Sequence, residues 1–415
     1  MFKKFSELEK AWIYYDIGNS AFTMMVSTLI PILFNSLATK AGLNQSEYLA
    51  YWSYATSIAT VLVALLGPIL GTIADNKNFK KPMFMAALFI GVFGCAFMGI
   101  VPSWILFLVT YIISKVAYQA SLVLYDSMLT DVTEPDRMDL VSSQGYAWGY
   151  IGSCIPFIIA LLFYVAAEML HIIPSSVGFA VGFFVTALWW LGVSIPLIKN
   201  YKQKYYVEEN ENKIVESFKR LGKTLGHIVK HEKKVLFFLL GFFFYIDGVY
   251  TIIDEAVAIG TALGLDQVGL LVILLATQVV AFAFATLFGK LSEKYKSSDL
   301  IKVCIFGYFL VAVYALFLGQ SLLRFAIMAF MVGMFQGAIQ ALSRSYYAQI
   351  IPADNSGEYF GLYDICGKGA AFLGTTLVGV VVSKTNSVHL AVATLNVLFV
   401  FGFIFLSISA KIKKS

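Results

Sequence analysis

The chain has 415 residues, of which 59% are hydrophobic and only 13% charged, and its formal net charge is +5. Soluble domains carry about 25% charged residues, and no soluble fold of this length could bury so much apolar surface. Composition therefore excludes a water-soluble enzyme or nucleic-acid-binding domain and leaves a polytopic helical membrane protein.

Apolar runs long enough to cross a hydrocarbon core of ~30 Å as helices of ~20 residues recur from end to end. They predict twelve spans, at about 12–37, 50–74, 83–101, 104–128, 144–167, 177–198, 235–259, 266–289, 300–319, 324–348, 360–383 and 388–410. The first span, WIYYDIGNSAFTMMVSTLIPILF, is too long, and its flank MFKKFSELEK too mixed in charge, for a cleaved signal peptide, so it is expected to stay as a helix. It carries Asp16 inside an apolar run, where a lone carboxylate at a helix centre costs ~2.5–3.5 kcal/mol on insertion scales. Two readings stand. Asp16 is an acid in the first turn, wetted by cytoplasm and favoured by the positive end of the helix dipole, or a cavity acid aided by Tyr15 and Asn19.

After span 2 comes GTIADNKNFKK, residues Gly71 to Lys81. Span 4 stacks Tyr111, Lys115, Tyr118 and Tyr125 on one helical stripe with Gln119 beside it, and Asp126 and Asp131 at its inner end read as gate or loop acids. Gly145, Gly149 and Gly152 in span 5 have the spacing of close helix packing. Residues 199–234 are polar and basic and divide the spans six and six; Ile214, Phe218, Leu221, Leu225 and Ile228 predict an amphipathic surface helix there. Span 7 aligns Asp247, Tyr250, Thr251 and Asp254, and span 10 aligns Gln336, Gln340, Ser343, Arg344 and Tyr347. Asp364 and Lys368 in span 11 have intrahelical pair spacing. Trp12, Trp52, Trp104 and Trp189, near span ends, read as interfacial anchors.

Of the 30 Lys and Arg residues, 24 fall in the tails and loops of one side, while the opposite loops hold only Lys40, Arg324 and Lys384. Positively charged loops stay cytoplasmic, so both termini are expected there. The net charge expresses this topology, and nucleic acid is not an expected partner. The four cysteines lie inside spans without metal-ligand spacing, and His171, His227, His231 and His389 are scattered over loops on both sides. No metal, cofactor or catalytic nucleophile is expected.

The halves echo each other. Tyr15 and Asp16 in span 1 match Tyr245 and Asp247 in span 7; Gly71 and Asp75 after span 2 match Gly289 and Glu293 after span 8, each glycine followed at the fifth position by an acid and then lysines. This predicts two pseudo-symmetric six-helix bundles, 1–198 and 235–415, joined by a 199–234 linker.

The 6+6 plan, the basic central loop and the acid-plus-basic loop after span 2 resemble the major facilitator superfamily. Four segments, YYDIGNSAF, GTIADNKNFKK, LTDVTEPDRMDLVSSQGYAWGYIGS and FYIDGVYTI, look like the branch that includes the vacuolar efflux protein Atg22 of fungi and its bacterial relatives. The resemblance implies that spans 1, 4, 7 and 10 line a central cavity, that Gly71, Asp75, Lys80 and Lys81 gate it, and that the activity is amino-acid efflux in the plasma membrane of a bacterium. Where the superfamily loop usually has a second glycine and an arginine, Asn78 and Phe79 interrupt the pattern. A loop acid such as Asp75 can latch the halves by binding the free N–H groups at the start of another helix.

The expected function is secondary transport of a small organic solute, an amino acid or similar zwitterion, by alternating access and coupled to protons or sodium, with membrane lipids as further partners. The candidate substrate residues are Lys115, Asp247, Tyr118, Gln119, Tyr250, Gln336, Gln340, Asp16 and Asn19. Lys115 and Asp247, near the bilayer midplane, are expected to face one another across the cleft. Efflux of hydrophobic or cationic compounds, or a non-transporting receptor or scaffold, are the alternatives.

Overall fold

The computed structural model describes residues 4–207, 213–256, 259–260 and 263–413, with the side chains of residues 45, 213–220, 267–268, 271 and 368–372 outside that description. The first half comprises α1 (Glu7–Ser27), α2 (Leu29–Lys40), α3 (Gln45–Ala74), α4 (Lys80–Met98), α5 (Trp104–Ser127), α6 (Leu129–Val132), α7 (Met138–Glu168) and α8 (Ser175–Asn200). A surface helix, α9 (Lys213–Lys230), precedes the second half: α10 (Lys233–Asp254), α11 (Gln267–Leu291), α12 (Ser297–Tyr314), α13 (Leu322–Ile350), α14 (Ser356–Thr385), α15 (Val388–Thr394) and α16 (Asn396–Lys411). The β-structure among the described residues is a single bridge between Asn76 and Val207.

Among the described residues eleven helices or joined helix pairs are long and apolar enough to cross a membrane. Helix α14, 30 residues long and apolar over Leu373–Thr385, completes the twelve. In the first bundle α1 packs on α7 and α8, and α5 packs on α3 and α4; in the second, α10 packs on α14 and α16, and α13 on α11 and α12. Between bundles, α3 meets α14, and α7 meets α11 and α13.

Internal two-fold symmetry reaches individual side chains. The buried Tyr15 hydroxyl on α1 meets the Ser121 hydroxyl on α5 at 2.6 Å, and the buried Tyr245 hydroxyl on α10 meets Ser343 on α13 at 2.6 Å. The predicted span-5 glycines do admit a close neighbour: a Cβ at Gly145, Gly149 or Gly152 would strike Asp16, Ser20 or Ile17 of α1.

The linker is strapped to the first bundle. Val207 N–H donates to Asp75 O at 2.9 Å, and Gln203 Nε2 donates to Ala74 O at 3.1 Å. Of the predicted amphipathic face, Ile214 and Phe218 fall outside the described side chains. Ile228 is buried where α9 meets α3 and α10, Leu221 is half-buried and Leu225 is exposed.

Candidate functional site

Helix α1 starts earlier than its apolar run suggests, because Ser6 and Glu9 form a capping box: Glu9 N–H donates to Ser6 Oγ and Ser6 N–H to Glu9 Oε2. Glu9 is also held by Arg137 Nε at 2.8 Å and by Thr133 Oγ1 at 2.6 Å. Asp16 therefore lies in the third turn and is 5% exposed, which overturns the wetted first-turn reading.

Its partner is Arg344 on α13, in the other bundle. Arg344 Nη2 donates to Asp16 Oδ2 at 2.9 Å and Nη1 to Asp126 Oδ1 at 3.0 Å, while Nε donates to Ser142 Oγ at 2.9 Å and Nη2 also to Ser142 O at 3.1 Å. The guanidinium faces lie against Trp12 and Tyr146, with its carbon 4.5 and 4.4 Å from the ring centroids. Planar, fork-shaped donors suit both the two carboxylates and the aromatic sandwich, where a lysine would satisfy neither as well. Trp12, expected at the membrane interface, is instead fully buried and stacked on Tyr125 with centroids 4.4 Å apart. Asp126, read as a gate or loop acid, belongs to this central cluster.

Around this centre the predicted polar stripes meet. Asn19 Nδ2 donates to Tyr15 O and to Asp16 Oδ1 at 3.0 and 3.2 Å. Tyr118 is buried, its hydroxyl 2.6 Å from Thr23 Oγ1. Gln119 Nε2 donates across the bundles to Asp364 Oδ1 at 3.0 Å, and Gln340 Nε2 donates to the Tyr150 hydroxyl oxygen at 3.2 Å and to Gln336 O at 3.1 Å. Gln336 is buried and Tyr250 half-buried. The predicted Asp364–Lys368 pair cannot be placed, because the Lys368 side chain lies outside the described residues.

Lys115 and Asp247 do not form the predicted pair. Asp247 is fully buried within the second bundle, where both its oxygens accept the Gly374 N–H, at 3.0 and 2.8 Å, and Oδ1 accepts from Thr251 Oγ1 at 3.4 Å. Lys115 lies over the Tyr118 ring, 5.6 Å from its centroid, and its charge acts on Asp254, two turns further along α10 than Asp247. Depth counted from approximate span ends carries an error of a turn or two, enough to exchange one acid of the stripe for the other.

Toward the face that bears the chain termini the bundles are closed. Asp75, fully buried, accepts the N–H groups of Gly357 and Glu358 at 2.8 and 2.9 Å, in the first turn of α14. Those N–H groups have no partner inside their own helix, and the helix dipole favours an acid there. Lys80 Nζ, also fully buried, donates to Ser356 Oγ at 2.8 Å and lies 3.6 Å from Asp75 and 3.7 Å from Asp131. Asp131 accepts the N–H groups of Lys204 and Tyr205. It also accepts the Tyr201 hydroxyl, whose acidity burial and the Asp131 charge suppress, keeping the phenol a donor. Lys81 faces the linker rather than the seam, donating to Tyr201 O at 3.1 Å. Gly71 allows the approach: a Cβ there would sit 2.0 Å from Gly357 O. Asn78, at the place of the missing glycine, has φ +64°, a left-handed conformation that asparagine tolerates better than most residues.

In the second half the matching acid does not match in role. Glu293 is exposed, and the seam there is made by Asp139 on α7, which accepts the hydroxyls of Ser297 and Ser345.

The profile of the family described as "Vacuole effluxer Atg22 like" matches residues 44–138 and 130–415. The chain is 41% identical over 412 residues to an "Uncharacterized MFS-type transporter YxiO" of Bacillus subtilis, covering 98% of this chain and 96% of that protein. Autophagy-related protein 22 of Candida glabrata is 21% identical over 482 residues, covering 95% of this chain and 88% of its own length. Among solved structures, FucP, a major facilitator transporter in the outward conformation, superposes with a TM-score of 0.72 at 13% identity over 99% of both chains. The human organic anion transporter MFSD10 does so at 0.70 and 13% identity, over 96% of this chain and 98% of that one. Two six-helix bundles, the buried inter-bundle charges and these matches together place the chain among transporters rather than enzymes: it belongs to the Atg22-like family of the major facilitator superfamily.

Proposed function

We propose that the chain moves a small zwitterionic organic solute, an amino acid or a close analogue, outward by alternating access and coupled to protons. The observation that supports this most is the placement of both charge signs along the cleft between the bundles. Lys115 and the exposed Asp254 lie within electrostatic reach of each other from opposite bundles, and Arg344 lies between Asp16 and Asp126 deeper in. A zwitterion offers a counter-charge to each sign, with Tyr118, Gln119, Tyr250, Gln336, Gln340 and Asn19 as neutral hydrogen-bonding groups nearby. Asp247 holds α14 in this reading and meets the solute only indirectly.

Protons suit the central acids better than sodium. A guanidinium fills the space between Asp16 and Asp126 in place of an oxygen cage for a metal ion, and desolvation favours the protonated form of a carboxylate once such a counter-ion has left it. The efflux direction draws on the "effluxer" in the family's description. Cationic multidrug efflux fits less well, because Lys115 and Arg344 repel a cation.

The test is flux in proteoliposomes. Labelled amino acids should be driven by a pH gradient and be indifferent to a sodium gradient. Flux of tetraphenylphosphonium with none of any amino acid would favour the multidrug alternative and sink this reading.

We further propose that both termini and the 199–234 linker face the cytoplasm, with 1–198 and 235–415 rocking as units. The 24-to-3 distribution of basic residues supports this orientation. In intact cells an impermeant maleimide should label Asn386→Cys, at an exposed site, and spare Lys202→Cys in the linker. The opposite pattern would invert the topology.

A further inference from the structure

We propose that Asp139 is a second gating acid, and that the two latches on the terminus-bearing face are built with opposite chemical polarity. In the first latch the loop after span 2 provides the acid, Asp75, and the start of α14 in the other bundle provides the donors, Gly357 and Glu358 N–H. The two-fold relation maps that loop onto the one after α11 and the start of α14 onto the start of α7. There the loop provides the donor, Ser297 at the start of α12, and α7 provides the acid, Asp139, its second residue.

The geometry makes Asp139 more than a surface acid. It is 8% exposed; Ser297 and Ser345 are 7% and 0% exposed. Each of its oxygens takes one hydroxyl from the opposite bundle, Oδ2 from Ser297 and Oδ1 from Ser345. Among the described residues no cation forms a salt bridge with it, so its charge rests on these two hydroxyls and on the positive end of α7. Close approach is prepared as in the first latch: a Cβ at Gly289 would lie 2.6 Å from Ser143 Cβ.

Asp139 also anchors a polar ladder along the α7–α13 seam. One turn along α7, Ser142 Oγ donates to Ala341 O at 2.7 Å and accepts from Arg344 Nε; two turns further, Tyr150 meets Gln340. Opening this face must break every rung, beginning at Asp139. The sequence echo concealed this residue, because it matched Gly289 and then looked for the acid on the same loop, at Glu293.

Spin labels at Glu134→Cys and Asp354→Cys, exposed positions on opposite bundles beside the seam, report its opening in a variant lacking the native cysteines. With the native Asp139 one short-distance population should dominate. Asp139→Ala should raise the open-to-closed ratio by about tenfold or more, the scale of one lost charge-assisted hydrogen bond. The exchange variant, Asp139→Ser with Ser297→Asp, gives the second latch the polarity of the first and should return the short distance. Asp139→Asn, of the same size and retaining one acceptor oxygen, should fall between. An unchanged distance distribution in Asp139→Ala would overturn the proposal. So would lower thermal stability in every Asp139 variant with no change in distances, which marks a merely structural residue, or an exchange variant that stays as open as Asp139→Ala. None of these measurements needs a solute, so they are independent of the transport reading.

Discussion

Gly71→Ala should leave a folded protein that rarely reaches the state closed at its terminus-bearing face, with transport reduced about tenfold or more. The added Cβ would stand 2.0 Å from the Gly357 oxygen and 2.6 Å from its carbonyl carbon. Both are main-chain atoms of a helix, so no side chain can swing away and α3 must part from α14 by about 1 Å or more. That movement pulls Asp75 from the two N–H groups it holds at 2.8 and 2.9 Å. Overpacking of this kind costs ~1–3 kcal/mol, and the cost falls only on the closed state, because the helices separate in the open one. Every ~1.4 kcal/mol shifts the equilibrium tenfold. Asp75→Asn should be milder: the amide keeps one acceptor for the α14 N–H groups but loses the charge that faces Lys80, which still has Asp131 at 3.7 Å. Transport rates with conformational distances in both variants would check the order. A wild-type rate in Gly71→Ala would show that this seam need not close during the cycle.

The parts of this gate were legible because they are local. A glycine, an acid four residues on and two lysines form one short segment, and the argument that a loop acid seeks free helix N–H groups needs no knowledge of which helix supplies them. The spans were legible for a similar reason, since each needs only its own apolar run. Asp16 was different. Its meaning depends on Arg344, 328 residues away on a helix in the other bundle, and periodicity within either helix does not say which faces meet. One signal was available: Lys115, Arg344 and Lys368 are the cations placed away from the ends of predicted spans, whereas Lys302 and Arg324 sit at span starts. An arginine cannot shed its proton as a buried lysine can, so an intramembrane Arg344 called for acidic partners before Lys115 did. Pairing Lys115 with Asp247 failed on resolution, as Asp254 lies on the same helical stripe seven residues on. The capping box shows the opposite case, for Ser6 and Glu9 are readable in the sequence and would have moved the start of α1 and put Asp16 in its third turn.

Arg344→Met should be the most damaging single change. It removes the guanidinium from between Asp16 and Asp126, whose side chains are only 8% and 20% exposed, and leaves both acids without their counter-ion. It also empties the slot between Trp12 and Tyr146 of a flat group that a thioether fills poorly. Breaking a buried ion pair by deleting one partner typically costs ~3–5 kcal/mol, most of it the penalty for the stranded charge. A large loss of thermal stability is therefore expected, together with loss of transport. Two further variants separate the causes. Arg344→Lys keeps a charge but offers a single ammonium where the native residue reaches two carboxylates, Ser142 Oγ and Ser142 O, so it should recover part of the stability and little of the transport. Arg344→Met combined with Asp16→Asn and Asp126→Asn carries no stranded charge and should fold about as well as the native chain, since neutral groups of similar shape often replace a buried ion pair without loss. If that triple variant is stable and still transports at the native rate, the cluster only fastens the bundles together and takes no part in the cycle. If it is stable and inactive, as expected, the charges are retained for the cycle itself, where Arg344 leaves the two acids of the first bundle each time the bundles rock apart.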